Sequence, residues 1–112
     1  MSDARTSELP LEGVTVLDFS QFLAGPVAAL RLADLGARVI KIERPGSGDD
    51  SRAFGPPWLK DAAGQDTKES AYFASANRGK KSVTLNLSKP RGQGIARELE
   101  PGGDLLDENY KV

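Results

Sequence analysis

With 112 residues the chain fits one small domain or a piece of a larger one, and it is too short for a two-domain enzyme. Its 15 Lys plus Arg against 16 Asp plus Glu leave a formal net charge of -1, so no global field draws it to nucleic acid or to an anionic membrane. The complete lack of Cys and His removes disulfides, thiolate nucleophiles, imidazole bases, Cys/His zinc sites and every histidine-dependent triad, so no metal site is expected and any chemistry must use Asp, Glu, Lys, Ser, Thr or Tyr.

The start, MSDARTSELP, has neither a basic n-region nor an apolar h-region, and no run approaches the roughly 20 apolar residues of a membrane span. A cytoplasmic chain is expected, with residues 1–10 a flexible N-terminus and residues 11–112 folded. The first element is the run Val14 to Phe19 (VTVLDF), β-branched and aromatic between Gly13 and Ser20, which predicts a buried strand. Gly25 and Pro26 then precede VAALRLADL. Pro26 at the first helical position opens a helix, Val27, Leu30 and Asp34 follow helical spacing, Leu35 closes the apolar side and Gly36 stops it in the left-handed region. Arg38 to Glu43 (RVIKIE) is a second strand, ended by Pro45 and Gly46. Strand, helix and strand within about 30 residues make a βαβ unit, so the two strands should be parallel.

Arg44 to Glu69 is rich in Gly, Pro, Asp, Ser and Gln and is longer than the roughly 12 to 15 residues usual for a structureless connection, which suggests a functional loop. Ser70 to Asn77 reads as a short helix, and Ser82 to Leu87 alternates as a half-buried strand. Ser88 as cap and Pro90 as first residue open a third helix to about Leu99, with Ile95, Ala96 and Leu99 facing inward, and Asp104 to Tyr110 offers a fourth strand. The pattern predicts an α/β fold, a Rossmann-like open parallel sheet with flanking helices, whose ligands sit beyond the carboxyl ends of the strands. That rule selects Ser20 to Gly25, Arg44 to Ser51, Ser88 to Pro90, and Asn109 onward.

Among these, Gly46-Ser47-Gly48-Asp49-Asp50-Ser51 looks like a phosphate loop but lacks a third Gly and follows the second strand, so a turn with Gly at positive φ is the better reading. Arg44 stands at a strand's carboxyl end, where its guanidinium is able to pair with phosphate or stack on adenine, or simply to remain solvated. Arg78, Lys80 and Lys81 read as a solvated basic turn. Asp18, inside an apolar strand, must be hydrogen-bonded or face a cleft.

Three blocks, LEGVTVLDFSQFLAGPVAALRLADLGARVIKIERPGSGDDSR, SAYFASANRGKKSVTLNLSKPRGQGIAREL and DLLDENYKV, in this order and spacing, closely resemble the beginning of the family III CoA-transferases, which include formyl-CoA, carnitine and bile-acid CoA-transferases. The resemblance implies an incomplete fold, the N-terminal part of a large domain in proteins of roughly 400 residues that form interlocked homodimers. It implies that Gln21, Phe22, Leu23 and Ala24 line a coenzyme A site, that Arg44 contacts the adenine nucleotide with Leu85 packed beside it, and that Asn109 with Tyr110 flanks the pantetheine and thioester. The partners it implies are an acyl-CoA and a carboxylic acid acceptor. The family reaction runs through an aspartate nucleophile and an aspartyl-CoA thioester, and that aspartate lies beyond the position matching Val112. No catalytic residue is therefore assigned within the chain.

The departures from the family pattern are specific. Ser88 stands where many relatives carry a phosphate-binding lysine, a role Lys89 is placed to take. Leu23 replaces the glutamine of formyl-CoA transferases, which argues against formyl-CoA or oxalate. Glu100-Pro101-Gly102-Gly103 interrupts a helix, and Asp107 falls in an expected apolar strand. These suit a truncated copy, inactive alone, with an open fourth-strand edge and marginal stability. The alternatives are a free-standing CoA-binding or regulatory module, and a piece of an α-methylacyl-CoA racemase relative.

Overall fold

The computed structural model describes residues 9–109. Nine regular elements follow in order: β1 (Thr15–Asp18), α1 (Ala24–Asp34), β2 (Arg38–Glu43), β3 (Trp58–Lys60), β4 (Asp66–Ser70), α2 (Ala71–Asn77), β5 (Lys81–Thr84), α3 (Pro90–Leu99) and β6 (Leu105–Asp107). Four strands form one parallel sheet in the order β5-β2-β1-β6, so the chain winds outward in both directions from β1 and β2. This is the expected Rossmann-like α/β sheet with flanking helices.

Both central strands are covered on two sides, which is why they read as near-continuous apolar runs. On one face Leu17, Phe19, Ile40 and Ile42 pack with Leu85 and with Ala96 of α3. On the other, Val16 and Val39 pack with Ala29 of α1 and with Ala37. Strand alternation then puts Asp18, Lys41 and Glu43 on the same side as Val16 and Val39. The charged residues that interrupt the two apolar runs therefore all point to one layer, at the carboxyl end of the sheet.

Several local expectations need correction. The first helix begins at Ala24, so Pro26 is its third residue, still within the first turn where amide donors lack partners. Leu35 lies past the helix end and is exposed, while Gly36 does take a positive φ of 107°. Ile95 is exposed on α3, leaving Ala96 and Leu99 to face the sheet. Lys89, with no side-chain hydrogen bond, is the cap of α3; the Ser88 hydroxyl instead donates to Asn86 Oδ1 at 2.5 Å. The strand predicted over Ser82 to Leu87 is Lys81–Thr84, and Leu85 continues it by one bond to the Glu43 carbonyl.

The long segment after β2 is not structureless. It folds into a 3-10 turn (Asp50–Ala53) and an antiparallel hairpin of β3 and β4. Among the described residues β6 is the strand at one edge of the four-stranded sheet, short, with Leu105 50% and Leu106 54% exposed.

Helix α3 contains two glycines in different surroundings. A Cβ at Gly92 would lie 2.0 Å from the Asn86 carbonyl oxygen, whereas one at Gly94 meets nothing within 4 Å. Replacing a helical Gly with Ala normally stabilises by about 0.5–1 kcal/mol. Urea unfolding of Gly94→Ala should show that gain, whereas Gly92→Ala should lose about 1–3 kcal/mol by forcing backbone apart. Equal shifts in the two midpoints would contradict this packing.

Candidate functional site

Two buried ion pairs fix the loops that leave the carboxyl ends of β1 and β2. Lys41, opposite Asp18 in the sheet register, reaches out of β2 to Asp49 Oδ2 at 2.9 Å and donates to the Ser20 carbonyl at 3.0 Å. Lys80 reaches Asp18 Oδ2 at 2.9 Å and also donates to Asn77 Oδ1 and to the Pro26 carbonyl. Asp18 in turn accepts from the Ser20 amide at 2.9 Å and from its hydroxyl. The expectation that Asp18 is satisfied internally holds. Lys80 corrects the solvated basic turn: Arg78 and Lys81 are exposed, but the Lys80 side chain is buried. Burial pushes its pKa down, opposed by the hydrogen bond and charge of Asp18.

Asp49 does more than neutralise Lys41. Its Oδ1 accepts from the Ser51 amide and hydroxyl, and from the Phe22 amide at 3.3 Å. It thus ties the turn after β2 to the loop after β1. Burial raises its pKa, yet hydrogen bonds from Ser51 and Lys41 outweigh this and bring it below the usual carboxylate value. Gly46 and Gly48, at φ 80° and 64°, give the intervening turn its course, in agreement with a turn rather than a phosphate loop.

Glu43, the last residue of β2, receives Arg52 through Nε and Nη2 at 2.7 Å each, the Asp49 amide at 3.0 Å and the Ser82 hydroxyl at 2.5 Å. Burial by itself would raise this carboxyl; the hydrogen bonds from Arg52, Ser82 and Asp49 reverse that and lower it to about 2. Asp107 behaves oppositely. Burial first, and then the negative charge of its register partner Asp18, raise it.

The third loop clamp comes from Asn109, just past β6. Its Oδ1 accepts from the Gln21 amide at 3.0 Å, and its Nδ2 donates to the Gln21 carbonyl at 2.8 Å. Between the Asp49 and Asn109 contacts sits Phe22, a non-glycine residue at φ 71°, whose ring meets Phe54 edge-on at 5.2 Å. A left-handed conformation of this kind costs on the order of 1–2 kcal/mol and is held here from two sides.

Together these loops enclose a cleft of about 360 Å³ at the carboxyl rim. Its lining includes Gln21, Lys41, Glu43, Arg44, Asp49 and the Leu85–Ser88 turn. The sequence-selected residues Gln21, Arg44 and Leu85 therefore meet in one crevice. Phe22, Leu23 and Ala24 are exposed and do not line it, Lys89 adjoins it next to Ser88, and Tyr110 lies outside the described residues. Arg44 is exposed at the mouth, with Nε donating to the Ser47 hydroxyl and the Gly48 carbonyl and Nη2 paired with Asp50. Sequence reasoning missed Lys41, Glu43 and Asn86, and took Asp49 only as part of a turn. The signal for the first two was present: charges within RVIKIE, a run otherwise fit for burial.

Glu43 gives the rim an acid-sensitive joint. Its pKa is depressed in the folded state, so its contribution is present above about pH 4.5 and lost as pH falls toward 2. That shift corresponds to on the order of 3 kcal/mol. Asp49 acts with the same sign, and the raised pKa of Asp107 acts against both. Urea titrations at pH 7 and pH 3 should show stability lost at the lower pH, with Glu43→Gln flattening the dependence; an unchanged slope in that variant would contradict the role of Glu43.

The family model of CoA-transferase family III matches residues 11–112. Succinyl-CoA:glutarate CoA-transferase of Mus musculus is 52% identical over 101 residues, which are 90% of this chain and 22% of the relative. Succinate--glutarate CoA-transferase of Agrobacterium fabrum is 42% identical over 111 residues, 99% of this chain and 28% of the relative. Among solved structures, a CAIB/BAIF family protein from Brucella suis superimposes with a TM-score of 0.82 at 41% identity, over 92% of this chain and 26% of that one. The chain thus spans about a quarter of the length of these relatives.

Proposed function

Because the chain belongs to CoA-transferase family III, we propose that its cleft is the coenzyme A side of a transferase site that moves CoA from an acyl thioester to a carboxylic acid. The observation that carries this reading is the convergence of the Gln21 loop, Arg44 and the Leu85–Ser88 turn on one crevice at the carboxyl rim of a parallel sheet. The relatives named for succinyl-CoA and glutarate favour a dicarboxylic acid as acyl group and acceptor.

In this reading the residues have distinct tasks. The Arg44 guanidinium has two edges already occupied by Ser47, Gly48 and Asp50, so its plane is fixed and available to the adenine nucleotide. Leu85 supplies apolar contact beside it, and Lys89, exposed at the start of α3, supplies a mobile positive charge for phosphate. Gln21, with Phe22, Leu23 and Ala24 beside it and Asn109 holding its main chain, borders the pantetheine and thioester end. A cleft of this size holds a drug-sized portion of a ligand, so the rest of CoA extends past the rim.

The acyl-transfer carboxylate is a separate matter. Asp18 and Asp49 are both buried and paired with lysines, which removes them as nucleophiles. Glu43 is held by Arg52 and Ser82. In this reading the described residues bind and orient CoA, and the attacking carboxylate, as the family resemblance implies, comes from another segment.

Calorimetry with the 112-residue chain tests the binding half. CoA should bind, Arg44→Ala should weaken it about tenfold, the worth of one charge-assisted contact, and labelled CoA should not exchange with an acyl-CoA. No heat at millimolar CoA, or exchange catalysed by the pure chain, would overturn the assignment.

A further inference from the structure

The carboxamide of Asn109 makes a reciprocal pair of hydrogen bonds with the main chain of Gln21, accepting from its N–H at 3.0 Å and donating to its C=O at 2.8 Å. Two opposed bonds of this kind are what a neighbouring strand would supply, but β6 ends at Asp107, two residues earlier. The pairing also fixes the amide orientation, because the reversed carboxamide would set donor against donor and oxygen against oxygen.

We propose that Asn109 is a positioning residue, substituting for a strand at Gln21 and thereby holding the loop after β1 in the shape that lines the cleft. Three further observations support this. Gln21 is followed at once by Phe22 at φ 71°, a conformation an L-residue keeps only when its surroundings impose it. Asp49 holds the Phe22 amide from the opposite side. Asn109 also reaches the start of α1: a Cβ at Gly25, which Ser20 Cβ would exclude at 2.3 Å, would be in ordinary contact with Asn109 Cγ at 3.5 Å. With both ends of its carboxamide engaged on Gln21, Asn109 acts on bound ligand through that loop. Its role for CoA rests on the proposed CoA site, whereas its role for the loop does not.

Hydrogen exchange and CoA calorimetry on the full chain separate the possibilities. Asn109→Ala should accelerate exchange of the Gln21 amide about tenfold and weaken CoA by a similar factor, as expected for two exposed hydrogen bonds, without moving the thermal midpoint appreciably. Asn109→Asp keeps the acceptor for the Gln21 N–H and should retain more of that protection than Asn109→Ala. Unchanged Gln21 exchange in Asn109→Ala overturns the clamp, and weaker CoA with unchanged exchange would mark Asn109 as a direct ligand contact instead. Faster exchange with undiminished CoA affinity overturns the positioning role. If the unsubstituted chain binds no CoA, the site assignment fails, and the exchange result alone still decides the clamp.

Discussion

Two lysines buried at the carboxyl end of a parallel sheet are the constraint on which the rim of this molecule depends. Lys41 and Lys80 each lie out of solvent against a carboxylate, Asp49 and Asp18. Removing one member of such a pair leaves an uncompensated charge and costs roughly 3–5 kcal/mol, so neither partner is replaceable alone. One pair ties β2 to the turn that follows it, and the other joins β1 to the turn before β5, 62 positions away. Because Lys41 also holds the Ser20 carbonyl, the β1 loop is drawn into the same set of contacts.

The cleft follows from this arrangement rather than from apolar packing. Its walls are loops, which ordinarily move more than the elements they connect. Here they are bound by main-chain hydrogen bonds to buried side chains of Asp18, Lys41, Glu43 and Asp49. For the proposed CoA site, that preforms the surface and lowers the entropy lost when a flexible ligand settles on it. In the proposed CoA site the exposed groups face the ligand, Arg44 with its plane and Lys89 with its charge, while the buried ones keep the geometry. The division explains why the acidic residues nearest the rim are ill suited to attack a thioester.

The sheet was legible because its signals are periodic and local. VTVLDF, RVIKIE and the Pro-to-Leu span of α3 carry runs or spacings that only buried strands or an amphipathic helix satisfy. The hairpin of β3 and β4 was not legible, since WLK and DTKES are mostly exposed and carry no apolar alternation; only Trp58 and Thr67 are partly sheltered and Ser70 buried. Helix ends shifted by a few residues because proline is tolerated anywhere in a first turn, so Pro26 does not mark the start of α1. At the site, the strand-end rule located Gln21, Arg44 and Ser88, and the family resemblance pointed to Leu85, but the rule is blind to partners. That Lys80 leaves an exposed turn to neutralise Asp18 across 62 positions is a tertiary fact with no local trace. The reciprocal engagement of Asn109 and Gln21 is another, 88 positions apart.

The proposed placement of CoA at the carboxyl rim is tested most directly by a residue-resolved titration. Amide NMR shifts recorded while CoA is added should move at Gln21, Arg44, Leu85 and Ser88, around the carboxyl rim. Shifts gathered instead around the separate groove of Arg52, Lys68 and Arg78, or spread without focus over the surface, would contradict the assignment of the cleft.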